Sequence, residues 1–341
     1  MFFKRNTKVL ISSVDIASEA DLAKLNDTNT HLVSGLSNIA VTTSTPPNTF
    51  SEGFNTINSD AKRGQYLEPG TNSSFTITLE TPLALSSGQI NNLMLWKYLL
   101  TSTNTLAVDS SPTILNNAST GQNLHELSII VVSDAHCRIF RKAIVNTFDM
   151  QLLLSDLQKI SWTLLAGKYL DLTGVYVDGS SVIYASTSYM VHSDSELTYI
   201  PGKTTLIRVG QSPVIPLACI SGSLSIGNNA ILIPSTGIDD YNSFLGYKLG
   251  TQNISGSVGI YLKVGVAESF IKTIANEHVI GSKTSQRLLT FVFPTAVGIL
   301  KICVGYVYFT AAPIIYDNIF SSNLTYTALN YTLDDFIVSV E

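Results

Sequence analysis

Reactive side chains are few in this 341-residue chain, and their spacing argues against catalysis. The histidines, His31, His125, His136, His192 and His278, are scattered. None stands at helical or strand spacing from a second histidine or a cysteine, as a metal-ligand doublet requires. His136 and Cys137 are neighbours, which on a strand sends them to opposite faces. Cys137, Cys219 and Cys303 lie far apart and are odd in number, which reads as buried small side chains rather than a disulfide frame. The pairs Asp239-Asp240 and Asp334-Asp335 supply carboxylates, but glycoside hydrolysis needs two of them facing each other across a substrate. Sequence neighbours at turn signals are solvated turn residues. No nucleophile elbow, phosphate loop, dinucleotide turn or H-E-x-x-H pair occurs. The reading is therefore a non-enzyme with no catalytic residue, cofactor or metal.

Composition narrows the class further. Charged residues make up 13% of the chain against 45% hydrophobic, so its solubility rests on Ser, Thr and Asn, and it reads as packed rather than disordered. A net charge of -5 argues against gripping nucleic acid, which takes a basic face. "MFFKRNTK" has no apolar core after its basic residues, so cytoplasmic synthesis is expected, and acceptor triplets such as Asn72-Ser73-Ser74 and Asn323-Leu324-Thr325 reflect Asn and Ser abundance. The run "LLTFVFPTAVGILKICVGYVYFTAAPII", Leu288 to Ile315, is long enough to span a bilayer. Pro294, Lys301 and Pro313 interrupt it, and its Val, Ile, Phe and Tyr content predicts two buried strands joined near a glycine.

The elements that would position any site are mostly strands. "NTKVLISSV" and "LSNIAVTTST" open the chain, and a long loop from Asn48 to Pro69 returns into "GTNSSFTITLE" like a hairpin with an oversized tip. "INNLMLWKYLLTS" sets Leu93, Trp96 and Leu100 on one helical stripe, with Asn91 or Asn92 as its cap. "HELSIIVVS", "CRIFRKAIVNTFDMQLLL" and "DLQKISWTLLAG" supply further strands. The order then restarts. "KTTLIRV" stands for "NTKVLISSV", "SGSLSIGNNAILI" for "LSNIAVTTST", and "GTQNISGSVGIYLK" at Gly250 for "GTNSSFTITLE" at Gly70. "VAESFIKTIANE", with Val266, Phe270 and Ile274 in register, stands for the helix. So long a period means tandem domains rather than a solenoid: 1–170, a linker or insertion at 171–199 without clear periodicity, and 200–341. The expected fold class is mainly β, two tandem β-sandwich domains, each with a short flanking α-helix and a long hairpin. Unprotected edges with few lysines would be closed by neighbouring copies.

This order of pieces resembles major tail tube proteins of long-tailed siphophages, in the subgroup whose tube domain is duplicated in one chain. "SGSLSIGNNAILI" followed by "GTQNISGSVGIYLK" and a helix looks like the C-terminal tube domain. "FKRNTKVLISSV", "LEPGTNSSFTITLETPL" with "LMLWKYLL", "DLQKISWTLLAG" and "YIPGKTTLIRV" extend the likeness over nearly the whole chain. No single motif is diagnostic. The resemblance implies a structural virion protein located in the tail and assembled in the host cytoplasm. It also implies a homotrimeric ring with pseudo-sixfold symmetry, whose hairpins form a β-barrel. Rings would stack into a tube, meet tape measure, terminator and tip proteins, and pass DNA through the lumen without specific binding or any membrane. Read that way, Phe75, Ile77, Leu79, Val258, Ile260 and Leu262 face the core. Ser74, Thr76, Thr78, Glu80, Asn253, Ser255 and Ser257 face the lumen, and Phe50, Phe54, Lys62, Arg63 and Tyr66 touch the next ring. Relatives can carry an outer C-terminal domain, whereas this chain reaches Glu341 directly after its last strand, so no such domain is expected. The alternative class is a capsid or adhesin-like β-sandwich displaying loops, for which only Tyr176, Tyr184, Tyr189 and Tyr199 speak. An outer-membrane barrel would need a signal peptide.

Overall fold

In the computed structural model the described residues are 7–44, 48–50, 66–68, 74–99, 113–116, 126–133, 136–153, 155–194, 196–210, 215–217, 219–234, 244–248, 250–261, 270, 274, 287–311, 321–328 and 336–340. They form a mainly β molecule. Strands dominate because apolar and hydroxyl-bearing residues alternate: Ser74–Pro82 alternates between half-buried and buried along its whole length. Lys159–Ala166 and Ser321–Ala328 keep the same two-residue rhythm.

One long strand organises the first part. His136–Leu153 pairs near its start with Leu127–Ser133 and Lys168–Thr173, and near its end with Lys159–Ala166. From these the sheet continues outward: Lys8–Ser12 and Thr30–Leu32 follow Leu127–Ser133, and Ser74–Pro82 and Asn38–Ser44 follow Lys159–Ala166. A register shift between Leu127 and Ile129, beside Lys142 at φ 49°, bends the long strand where it passes from one group of partners to the other. In the second part Ile299–Ala311 plays the same role. It pairs with Arg287–Pro294, Phe336–Val340 and Ser321–Ala328, with a matching shift between Arg287 and Leu289. Leu206–Val209 and Ile215–Leu217 follow on one side, and Asn253–Tyr261 and Cys219–Gly227 on the other. Each of these first-set pairings thus has a counterpart in the second.

The Leu288 to Ile315 run does break into two antiparallel strands around Gly298, and no described helix is long and apolar enough to cross a membrane. The long hairpin is present in its stems: Asn38–Ser44 pairs with Ser74–Pro82, and Asn48–Phe50 with Tyr66–Glu68. A helix covers Leu93–Leu99, and Trp96 packs against Phe148 and Trp162 at ring distances of 4.7 and 5.2 Å. Phe270 and Ile274 are helical and buried.

Local expectations changed in four places. Neither asparagine caps the helix with its side chain. Asn92 sits at φ 53° and clamps Ser34 by two hydrogen bonds, and the Asn91 side chain serves Ala84 N–H and the Pro82 carbonyl. "SGSLSIGNNAILI" is two strands, Cys219–Gly227 and Ile231–Pro234, split at Asn229 with φ 48°. Segment 171–199 is ordered into short strands, including an antiparallel meander of Val175–Asp178, Ser181–Tyr184 and Thr187–Met190. Its turns run through Gly179 and through Ala185 and Ser186, both at positive φ, a geometry that side-chain alternation does not announce. Cys137 is buried, but Cys219 and Cys303 are only half-buried.

Candidate functional site

The feature that unites the two strand sets is a shared polar sheet face. The end of the long strand, Thr147 to Leu153, pairs with Cys219–Gly227 and fuses both halves edge to edge. Residues directly opposite in antiparallel strands share a face. One row across the sheet therefore reads Asn38, Glu80, Ser161, Asp149, Ser225, Ser255, Thr327, Tyr308. A neighbouring row reads Lys159, Gln151, Ser223, Ser257, Thr325, Thr310. The row beyond runs Ala40, Thr78, Thr163, Thr147, Gly227, Asn253.

All seven residues expected to share a polar face, Ser74, Thr76, Thr78, Glu80, Asn253, Ser255 and Ser257, lie on this one. Phe75, Ile77, Leu79, Val258 and Ile260 turn the other way into the core; Leu262 lies outside the described residues. Sequence reasoning missed Asp149, Gln151, Ser161, Thr163, Ser221, Ser223, Ser225, Thr325 and Thr327. The alternation in "NTFDMQ" and "KISWTL" carried that signal.

Hydroxyls dominate the face chemically. Ser223 and Ser257 hydroxyls lie 2.9 Å apart, and the Ser223 hydroxyl also accepts the Ser257 N–H at 3.0 Å. In the strands that build it, the charged side chains on this face are Glu80, Asp149 and Lys159. Lys159 is drawn toward Asp156 at 3.5 Å, whose carboxyl is held low chiefly by the Leu157 N–H. The surface is close to neutral and slightly acidic.

Two devices hold the halves in this register. Asn228 is buried and donates to the Leu99 and Val145 carbonyls at 3.2 and 2.9 Å, while its oxygen accepts from Gln252 at 3.0 Å. The Tyr247 hydroxyl, on the Phe244–Lys248 strand, reaches the Lys142 and Leu165 carbonyls of the first half; burial pushes its pKa well above the usual tyrosine value.

Among the described residues nothing else gathers reactive groups. Burial pushes the Cys137 thiol up to about 12 and the Cys219 thiol up to about 11, which makes both poor nucleophiles. Among the described residues no three His, Cys, Asp or Glu side chains are grouped as metal ligands. A cleft of about 460 Å³ is lined by Glu19, His136, Arg138, Asp171 and Tyr184, and four of these are paired with one another. Tyr184 donates to Glu19 at 2.6 Å, and Arg138 pairs with Asp171 at 3.5 Å. Of the loop residues, Phe50 and Tyr66 are opposite in register in the hairpin stem; Phe54, Lys62 and Arg63, like both Asp-Asp pairs, lie outside the described residues. No protein-family model and no curated protein sequence matches this chain.

Proposed function

We propose that this chain is a structural virion protein, the repeating subunit of a tail tube of the duplicated-domain kind, and that its polar sheet face lines the channel for DNA. The carrying observation is the internal junction: two strand sets with one pairing order join edge to edge and merge their polar faces. Applied between chains, the same junction closes a ring. Three copies would supply 24 barrel strands, and a strand spacing of about 4.8 Å gives a circumference of about 115 Å and a backbone radius of about 18 Å before tilt widens it. Such a bore admits a duplex with room for side chains.

The chemistry of the face suits passage rather than retention. A lining cation gains affinity for phosphate by releasing counterions, and that gain is multiplied down a tube. Here the two carboxylates outnumber the single lysine, and the remaining contacts are hydroxyls and amides that favour no sequence. The hairpin from Phe50 to Tyr66 is the proposed contact with the next ring, and tape measure, terminator and tip proteins are the proposed partners at the tube ends. Display of an aromatic cluster is less well supported. Tyr184 is bound to Glu19, and Tyr199 belongs to a separate sheet with Ala84–Ser86.

Negative-stain microscopy of the purified protein tests this reading. Stacked annuli or hollow fibres are the expected result; closed shells, or monomers at every concentration, refute it.

A further inference from the structure

The two strand sets differ in how the outer edge of one strand is covered. In the second set, Cys219–Gly227 is paired on both sides, with Asn253–Tyr261 and with the end of the long first-set strand. Leu224 faces Met150 and is 0% exposed, and Leu152 lies over Gly222, where an added Cβ would meet its Cδ1 at 2.8 Å. The first-set counterpart is Asn38–Ser44. Val41 opposite Ile77 matches Leu224 opposite Gly256, and Ile39 matches Gly222. Yet Val41 is 38% exposed, and among the described residues no strand pairs with the outer edge of residues 39–44.

Beside that edge lies a cleft of about 210 Å³ with Ile39, Val41 and Val131 as an apolar floor and Ser133, His136 and Arg138 on its rim. The second set has Phe291, Phe293, Leu300 and Ile302 where the first has Val131, Ser133, His136 and Arg138, as equivalent cross-strand pairs show. All four are buried. On its core side the internal junction is thus apolar. The first-set cleft keeps an apolar floor under a polar rim, the composition of a surface that stands in water until its partner arrives. At the far end of the fused sheet, residues 309–311 pair with Ser321–Ala328 and, among the described residues, with no strand on their other side.

We propose that the cleft and the 39–44 edge receive a second copy of this chain, whose 309–311 edge pairs antiparallel with them in the register of the internal junction. Thr310 opposite Thr325 holds the place of Thr147 opposite Thr163. Ser44 opposite Ser74 holds the place of Gly227 opposite Asn253, since Thr43 with Phe75 matches Ile226 with Ile254. The Thr147–Gly227 and Phe148–Ile226 pairs therefore translate into Thr310–Ser44 and Ala311–Thr43 between copies. This deepens the tube reading and rests on it for the premise that copies associate.

Two variants test it on the full chain. Val41→Asp, at a half-exposed position, should keep the wild-type circular dichroism while weakening self-association about tenfold or more, as expected for a central apolar contact. Chains carrying Ser44→Cys mixed with chains carrying Thr310→Cys, assembled and oxidised with glutathione disulfide, should link into covalent dimers; Thr43→Cys with Thr310→Cys, aimed at opposite faces, should not. Tubes that form normally from Val41→Asp overturn the docking cleft, and tubes in which the Thr43 pair links in place of the Ser44 pair overturn the register; both leave the tube reading standing. A wild-type chain that never associates overturns both.

Discussion

Gly256 stands in the middle of the strand that carries Asn253, Ser255 and Ser257, and its replacement by alanine is the sharpest probe of how that strand is held. Its counterpart in the first set is Ile77, opposite Leu164; here Gly256 faces Tyr326. The buried tyrosine ring fills the space an isoleucine takes in the other half, and its hydroxyl donates to the Ser223 carbonyl at 2.7 Å. A Cβ on residue 256 would overlap that carbonyl oxygen and the hydroxyl and lie 2.7 Å from the ring Cζ. Backbone cannot yield as a flexible side chain can. Overpacking costs about 1–3 kcal/mol, and a displaced buried hydrogen bond about 1–3 kcal/mol more. Gly256→Ala should therefore destabilise by about 2–5 kcal/mol, read as a lower urea midpoint by far-ultraviolet circular dichroism. Gly227→Ala, whose Cβ meets only Asn229 Oδ1 at 3.6 Å, is the control and should stay within about 0.5 kcal/mol of wild type. Adding Tyr326→Phe should shrink the cost of Gly256→Ala, because one of the overlapping atoms is gone. Equal midpoints for the two glycine variants would refute the reasoning.

Other expectations follow from the junction and the face. Asn228→Ala strips carbonyls of Leu99 and Val145 of a buried donor and should cost about 1–3 kcal/mol by urea unfolding; an unchanged midpoint would mean the junction does not depend on it. Thr76→Arg, Thr78→Arg, Ser255→Arg and Ser257→Arg together should leave tubes intact but slow DNA release in a salt-dependent way, measured by dye uptake from triggered particles. Release at the wild-type rate would defeat the proposed lining. Burial, then the His192 ring 4.5 Å away, holds His31 down from the usual 6.5 to about 4. The unfolded chain then binds the proton more readily, so this contribution is fully present above pH 6.5 and is lost as the pH falls toward 4. His31→Gln should flatten that part of the stability profile in thermal melts; an unaltered acid slope would assign it elsewhere.

Much of the fold was legible because a strand writes its two faces into alternate residues. Phe75, Ile77 and Leu79 against Ser74, Thr76 and Thr78 needed no partner to be sorted. The Leu288 run forms two strands for a related reason, since β-branched and aromatic residues broken by proline and glycine suit paired strands. What alternation cannot carry is register. Aligning Gly70 with Gly250 sets Phe75 against Ser255, whereas the buried positions match Phe75 with Ile254, one residue away. Turn geometry was equally silent: the meander in 171–199 turns on Ala185 and Ser186 at positive φ, which composition does not mark.

By itself, the sequence determined the chemistry available: abundant hydroxyls, scarce charge, and which side of each strand is apolar. Only the tertiary structure decided that the polar sides of both halves merge into one surface, that the Asn91 and Asn92 side chains brace other segments rather than cap a helix, and that one edge is covered while its counterpart pairs with no strand among the described residues. The physical reason is that side-chain alternation is a local property with a period of two residues, while hydrogen-bonded pairing between strands joins residues far apart in the chain and is chosen by how whole faces pack.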